Sequence, residues 1–224
     1  MSAGPFDPTF QELPREIPIF PLPGALLLPH ARLPLNIFEP RYLAMTRDAL
    51  QADRIIGMIQ PEAAEDLRAA QVATYRTGCA GRIVQFAETP DGRYMITLAG
   101  LCRFDKGQEL PLKDGYRRIV ALFGPYRGDM EPRAEGRAGA IERERLLAKL
   151  KQFLERHDIG ADWKAIEKAP DEQLVNALAM MCPFGPSEKQ ALLEAPSVGE
   201  RCETMIALLE MAVAASTEPG RTQQ

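Results

Sequence analysis

Residues 75–105 read YRTGCAGRIVQFAETPDGRYMITLAGLCRFD, and this stretch decides the fold of the first part of the chain. Residues 82–88 and 93–101 have the β-branched and aromatic content and the alternation of strands. The residues between them, 89–92, read TPDG, in which Pro90 presets the first corner and Gly92 can adopt a positive φ. The sequence therefore predicts an antiparallel hairpin.

The register of this hairpin decides whether two cysteines meet. If Glu88 faces Arg93, then Cys79 also faces Cys102, because both pairs are centred on the same point of the turn. A slip of one residue abolishes that pairing. A redox role for Cys79 and Cys102 is therefore an open alternative, although a coincidence of spacing is the favoured interpretation. The simpler expectation is that all four cysteines are buried thiols, namely Cys79, Cys102, Cys182 and Cys202.

Outside the hairpin, strands are expected at residues 55–60 and 118–123, and a helix is expected at 41–50 after Pro40. After residue 125 the pattern becomes helical, with apolar residues at 146, 147, 150, 153 and 154. We expect an α+β fold with a flexible segment at 1–15, a β-rich domain at 16–128, a helical bundle at 129–215 and a flexible tail at 216–224.

Local signals divide the helical part. A helix with Leu174, Val175, Leu178 and Met181 on one side should end before the PFGP sequence at 183–186. Ser187 with Gln190, and Ser197 with Glu200, have the spacing of capping boxes and predict two helix starts. A final helix is expected to bury one face, with Cys202, Met205, Ile206, Leu209, Ala212 and Val213 along it.

Composition narrows the class of protein. The chain has 224 residues, 46% of them hydrophobic, and a net charge of −4, with the first part near neutral and the second acidic. Nucleic acid is therefore not the expected partner, since it requires clustered basic residues. The apolar stretch at 17–29 is shorter than the roughly 20 residues of a membrane span and contains four prolines. We expect a cytoplasmic protein with no membrane association.

Catalytic motifs are missing from the sequence. It contains no P-loop, no G-x-S-x-G elbow, no H-E-x-x-H motif and no C-x-x-C pair. Ser187 and Lys189 stand two positions apart and would point in different directions on a helix. We therefore expect no enzymatic activity, no catalytic residue, no cofactor and no metal site.

A few residues in the first part could contact a ligand. Glu39 and Arg41 flank Pro40 at the start of a helix, where they could line the rim of a groove; the favoured alternative is a local role at the helix terminus. His30 lies between Pro29 and Ala31, and a structural role is the favoured interpretation because no orienting acid can be named for it.

Three stretches together resemble the N-terminal domain of Lon proteases. Residues 17–45, IPIFPLPGALLLPHARLPLNIFEPRYLAM, are similar to the opening of that domain, including its F-E-x-R-Y-type turn. Residues 75–105 are similar to its long hairpin and its G-x-x-R-F strand, on which Arg103 and Phe104 fall. The final helices, LVNALAMMCPFGPSEKQALLEAPSVGERCETMIALL, resemble its helical part, so the likeness spans about residues 16–214.

This resemblance implies a PUA-like pseudo-barrel followed by a helical bundle. It also implies a substrate-recognition module without the ATPase and peptidase domains, which would begin where this sequence stops. The binding residues that it suggests are His30, Phe38, Glu39, Arg41, Tyr42 and Arg103. The expected partners are polypeptide segments or a partner protein such as a protease, with the chain acting as an adaptor. The alternative is a PUA-like sensor of a small ligand or RNA; the oligomeric state is not predicted.

Overall fold

The computed structural model describes residues 8–62, 72–131 and 141–215. These residues form two compact units. The first unit contains the described residues up to 131 together with Pro183–Leu193. The second contains those from 141 to Cys182 and from Glu194 onward. The division of the chain into separate domains at residues 16–128 and 129–215 remains a prediction.

The first unit is built on six strands in the order β2-β5-β4-β3-β1-β6, with β5 also pairing with β6. The strands are β1 (Glu16–Pro21), β2 (Arg32–Ile37), β3 (Ile55–Pro61), β4 (Thr74–Glu88), β5 (Tyr94–Lys113) and β6 (Tyr116–Leu122). Helix α1 (Pro40–Gln51) follows β2. Because β5 pairs with β6, five strands close into a ring, and β2 lies outside it. The predicted fold class is confirmed.

Strand β5 is 20 residues long and pairs with three other strands. Residues 94–99 lie between β2 and β4, the pairing with β4 continues to Asp105, and the pairing with β6 extends from Asp105 to Lys113. The turn from β5 to β6 is a two-residue turn, Asp114-Gly115, with positive φ at both positions, as expected for a type I′ hairpin.

The predicted β4–β5 hairpin is present, but its turn contains a bulge. The Gly92 N–H donates to the Thr89 carbonyl, and the Thr89 N–H donates to the Arg93 carbonyl. Gly92 has a φ of +78°. Gly92 and Arg93 therefore stand opposite the single residue Thr89, the geometry of a G1 bulge. The bulge adds a residue on the β5 side, so Glu88 faces Tyr94 rather than Arg93.

The register that would place Cys79 opposite Cys102, an alternative that the sequence leaves open, is not the one observed. Two further irregularities, at Val84 in β4 and Leu101 in β5, offset each other along the hairpin. Cys79 consequently faces Arg103, and Cys102 faces Ala80. Because neighbouring positions of a strand point to opposite faces, the two thiols do not meet. Both are buried thiols outside any disulfide, as are Cys182 and Cys202.

A second turn with a bulge starts β2. The N–H of Ala31 donates to the carbonyl of Leu28 at 3.1 Å, with Pro29 and His30 between them and φ +64° at His30, which is the pattern of a type II turn. His30 N–H also donates to the Gly100 carbonyl, and Gly100 N–H donates to the Ala31 carbonyl, both at 2.9 Å. His30 thus occupies the bulge position that glycine usually takes.

The core of the first unit surrounds Phe104, which is fully buried. Its ring lies directly over Gly78 and Gly57, where a Cβ would approach the ring to 2.5 Å and 2.9 Å, respectively. The 3-10 turn Phe10–Glu12 belongs to this unit, and Phe10 and Leu13 pack on the core. Residues 8–15 of the segment predicted to be flexible are therefore part of the fold; residues 1–7 and the predicted tail at 216–224 lie outside the described residues.

Helix α5 (Pro186–Glu194) lies largely in the first unit. The ammonium of Lys189 donates to the Gly24 carbonyl at 2.6 Å, and the side-chain amide of Gln190 donates to the Thr77 carbonyl at 3.1 Å. The predicted cap at Ser187 is wrong, because the helix begins at Pro186 and the Glu188 carboxylate instead accepts the Gly185 N–H at 2.7 Å.

The second unit consists of four helices in its described part, α2 (Arg143–Arg156), α3 (Trp163–Lys168), α4 (Asp171–Met181) and α6 (Val198–Ala215). The cap at Ser197 is confirmed, since its hydroxyl accepts the Glu200 N–H at 3.1 Å. Placing Met181 on the packed side of α4 was wrong, because it is 81% exposed. The other predicted apolar positions are buried or half-buried.

We expect Gly78→Ala to lower the free energy of unfolding by about 1–3 kcal/mol, because the new methyl group would overlap the Phe104 ring and the Met58 carbonyl. Urea denaturation measures this change. Gly128→Ala is the matched control, since nothing lies within 4 Å of its Cβ position. Equal stability of the two variants would contradict the close packing described for Phe104.

We expect His30→Val to destabilise the protein by about 1–3 kcal/mol, because a β-branched residue is strained at positive φ. His30→Asn should be tolerated, since asparagine adopts this conformation more readily. Thermal denaturation of both variants tests the turn. A Val variant as stable as the Asn variant would show that His30 does not hold a left-handed conformation.

Candidate functional site

Strand β2, the first half of β5 and the end of β4 form a three-stranded patch with two distinct faces. One face points inward and contains Leu35, Ile96 and Leu98, all of them buried. We call the opposite side the outer face, because the cross-strand register and the alternation of side chains bring its members together. It consists of Arg32, Pro34, Asn36, Arg82, Gln85, Ala87, Met95, Thr97 and Ala99, together with Phe38 and Arg93 at the adjoining strand ends.

Two large apolar side chains are exposed side by side on the outer face. Phe38 is 61% exposed and Met95 is 44% exposed. Met95 faces Asn36 across the β2–β5 pair, and Phe38 is the second residue after Asn36, which makes Phe38 a diagonal neighbour of Met95. Exposed apolar residues that adjoin one another are typical of interaction sites, whereas single ones need no explanation.

The hairpin turn holds Phe38 in place. The Arg93 guanidinium carbon lies 5.9 Å from the centre of the Phe38 ring, within the range of a cation–π contact. Arg93 is itself fixed by Asp91, with 2.9 Å between Nε and Oδ2. The hydroxyl of Thr89 donates to Asp91, and this hydrogen bond lowers the pKa of the Asp91 carboxyl. The carboxylate therefore stays charged and paired with Arg93 at neutral pH.

Glu39, Arg41 and Tyr42 lie beside this face, but they interact mainly with one another. The carboxylate of Glu39 accepts from Arg41 at 2.8 Å, and the Arg41 guanidinium lies 4.6 Å from the Tyr42 ring centre. Tyr42 is buried against Phe20, with ring centres 4.2 Å apart, and burial raises the pKa of its phenol. The contacts of this trio position the start of α1 immediately after Phe38.

The other two predicted binding residues lie elsewhere. His30 is at the opposite end of β2 from Phe38, in the bulged turn. Arg103 is buried, and its guanidinium binds the Asp129 carboxylate through two bonds of 2.9 Å and 2.8 Å. It also donates to the Leu193 carbonyl at 3.2 Å. These contacts give Arg103 the geometry of an internal cross-link between β5, the segment Gly124–Met130 and α5.

Among the described strands β2 pairs only with β5, and its other edge is poorly suited to pairing with a further strand. Because Ala31 and Gly100 form a hydrogen-bonded pair, the backbone groups of Leu33, Leu35 and Ile37 point toward β5 by alternation. Those of Arg32, Pro34 and Asn36 point away from β5, and proline has no N–H to donate. An incoming strand would lack its central hydrogen bond, a common protection of edge strands.

Two other kinds of site are not found in the part of the chain that the structure describes. Across residues 8–62, 72–131 and 141–215, no cluster of three or more His, Cys, Asp or Glu side chains could bind a metal ion. Over the same ranges, no helix has the length and apolar character needed to cross a membrane.

A family model for the substrate-binding domain of ATP-dependent protease La (Lon) matches residues 16–211. The chain belongs to this family. Lon protease 2 of Myxococcus xanthus is 24% identical over 89% of this chain but only 24% of its own length, and Lon protease of Azorhizobium caulinodans is 26% identical over 86% of this chain and 22% of its own. This Lon-type chain therefore spans about a quarter of the length of these relatives.

Two solved structures share the fold of this Lon-type domain. A Lon N-terminal domain protein from Xanthomonas campestris superposes with a TM-score of 0.58 at 21% identity, covering 86% of this chain and 97% of that one. The N-terminal domain of Lon protease from the Mycobacterium avium complex gives a TM-score of 0.58 at 16% identity, covering 87% and 98%, respectively. At these identities the likeness concerns the fold alone.

Phe38 is one of the binding residues that the family resemblance suggests, and it lies on the outer face. Met95, Arg93 and Arg32 lie on the same face and were not among the predicted residues. Alternation within residues 93–101 could have separated Met95 from Ile96 and Leu98. Whether Met95 or the pair Ile96 and Leu98 faces solvent depends on the pairing with β2 and on the packing of the buried face.

We expect Asp129→Ala to lower the free energy of unfolding by about 3–5 kcal/mol, because it leaves the buried Arg103 charge without its carboxylate. Asp53→Ala, at an exposed position of the same unit, is the control and should change stability by less than about 0.5 kcal/mol. Chemical denaturation followed by circular dichroism measures both. A stable Asp129→Ala protein would mean that Arg103 is not held in the interior by this pair.

Proposed function

We propose that the chain is a non-catalytic module that binds polypeptide segments through their apolar side chains at the outer face. The family supports recognition of substrates, because the matching region is the substrate-binding domain of Lon proteases. The activity of a whole Lon protease is not assigned to this chain, because about three quarters of each of the two full-length relatives lies outside the matching region. Delivery of bound polypeptides to a separate protease in the cytoplasm, as an adaptor, is part of the same proposal.

The observation that carries the proposal is the exposed pair Phe38 and Met95 on a braced strand surface. Full burial of an exposed side chain of this kind contributes about 1.5–3 kcal/mol, and a partner that covers the remaining exposed surface of Phe38 and Met95 would contribute roughly half of that at each. Aromatic residues, methionine and arginine are enriched in binding interfaces, and Phe38, Met95 and Arg93 supply one of each. Because β2 and β5 hold these residues by a continuous register, little ordering is required on binding.

The edge of β2 favours recognition of side chains over strand addition. Pro34 interrupts the row of donors that an incoming strand would use. The outer face, in contrast, offers its side chains from three adjacent strands. A bound segment would therefore lie across or along this face and place its apolar residues on Phe38 and Met95.

We expect Phe38→Ala and Met95→Ala each to weaken binding of a permanently unfolded model protein by about threefold or more, since each removes roughly 1 kcal/mol of apolar burial. Fluorescence anisotropy with a labelled, reduced and alkylated protein measures the Kd. Circular dichroism verifies that the variants remain folded.

The matched control is Leu122→Ala, an exposed apolar residue of the same unit outside the outer face. It should leave the Kd unchanged. The proposal fails if the Phe38→Ala, Met95→Ala double variant binds as tightly as the unsubstituted chain, or if Leu122→Ala weakens binding as much.

A further inference from the structure

The outer face has a one-sided charge. Among its eleven residues three are arginines, Arg32, Arg82 and Arg93, and none is an aspartate or a glutamate. The chain as a whole has a net charge of −4, so the face differs in sign from the protein that bears it. The two carboxylates beside the apolar pair, Asp91 and Glu39, are bonded to Arg93 and Arg41, respectively.

Arg32 is the charge best placed to meet a ligand. It is exposed at the first position of β2. Within residues 8–62, 72–131 and 141–215 it forms no ion pair, whereas Arg93 is neutralised by Asp91. A guanidinium on a face without carboxylates complements an incoming carboxylate and disfavours an incoming cation.

The distance between Arg32 and the apolar pair determines how far apart the two contacting residues of a bound segment must lie. Phe38 lies six positions after Arg32, which corresponds to about 20 Å along an extended strand. A bound segment in an extended conformation parallel or antiparallel to β2 covers that distance with about six residues.

We propose that the outer face selects polypeptide segments in which an apolar residue and an acidic residue stand about six positions apart. The apolar residue contacts Phe38 and Met95, and the carboxylate contacts Arg32. This inference rests on the proposed function and adds the chemistry of the preferred polypeptide to it.

A polypeptide fits this face better than a nucleic acid does. Binding of single strands uses a basic groove with several aromatic side chains on which bases stack. The outer face has one aromatic side chain, Phe38, and the arginine above it is already paired with Asp91. Its remaining apolar members, Pro34, Ala87, Met95 and Ala99, have no ring on which a base could stack.

The test uses the full chain and labelled peptides of about twelve residues, long enough to span Arg32 and Phe38. In the test peptide two leucines are followed, about six positions later, by two glutamates, and a second version has the reverse order. The control peptides have glutamine or lysine in place of glutamate, or have the glutamates directly beside the leucines. At low salt the spaced glutamate peptide should bind about three- to tenfold tighter than the glutamine peptide, and the lysine peptide weaker than both.

The preference should disappear in Arg32→Glu and in about 0.5 M salt, where charges are screened. Arg15→Glu, an exposed arginine of the same unit away from the outer face, should retain it. If glutamate and glutamine peptides bind equally well, or if adjacent glutamate is as good as spaced glutamate, the inference is wrong and the proposed function stands. If no peptide binds, both are wrong. A single-stranded oligonucleotide that binds more tightly than the glutamate peptide and competes with it would also overturn the inference.

Discussion

The pairing of β5 with three strands is the constraint on which the rest of the first unit depends. The first residues of β5 join β2 to β4, and the ring closes near Asp105, where the pairing with β4 ends and the pairing with β6 begins. Beside β2 the side chains of β5 alternate between a buried face with Ile96 and Leu98 and an outward face with Met95, and the bulge at Leu101 reverses this alternation before Phe104. A shift of the β2–β5 register by one residue would exchange the buried and the outward side chains.

Three bulged positions on the β4–β5 pair and one turn at the start of β2 fix this register. Gly92 and His30 each hold a positive φ next to a bulge, and the two irregularities near Val84 and Leu101 offset each other. These features align Phe38, Asn36 and Met95 on one surface. The exposed apolar pair and the adjoining arginines thus follow from strand geometry and from the turns at the strand ends.

Much of the local structure could be predicted from the sequence, because it depends on neighbours in the chain. The TPDG turn, helix α1 after Pro40 and the Ser197 cap all have near-neighbour signals. The features that could not be predicted depend on contacts distant in sequence or on extra residues in a strand. Whether Cys79 faces Cys102 depends on the bulge at Gly92. The burial of Arg103 depends on Asp129 and on the Leu193 carbonyl, which no spacing rule connects to it. The surface position of Met95 depends on the β2–β5 register.

The most direct measurement of the central claim is the NMR signal of the Met95 methyl group during titration with an unfolded polypeptide. Met181 and Met211 are exposed methionines of the second unit and serve as internal controls, being 81% and 63% exposed. Binding at the outer face predicts a saturable shift of the Met95 signal, with the Met181 and Met211 signals unchanged. A saturable shift at Met181 or Met211, with Met95 unaffected, would contradict it.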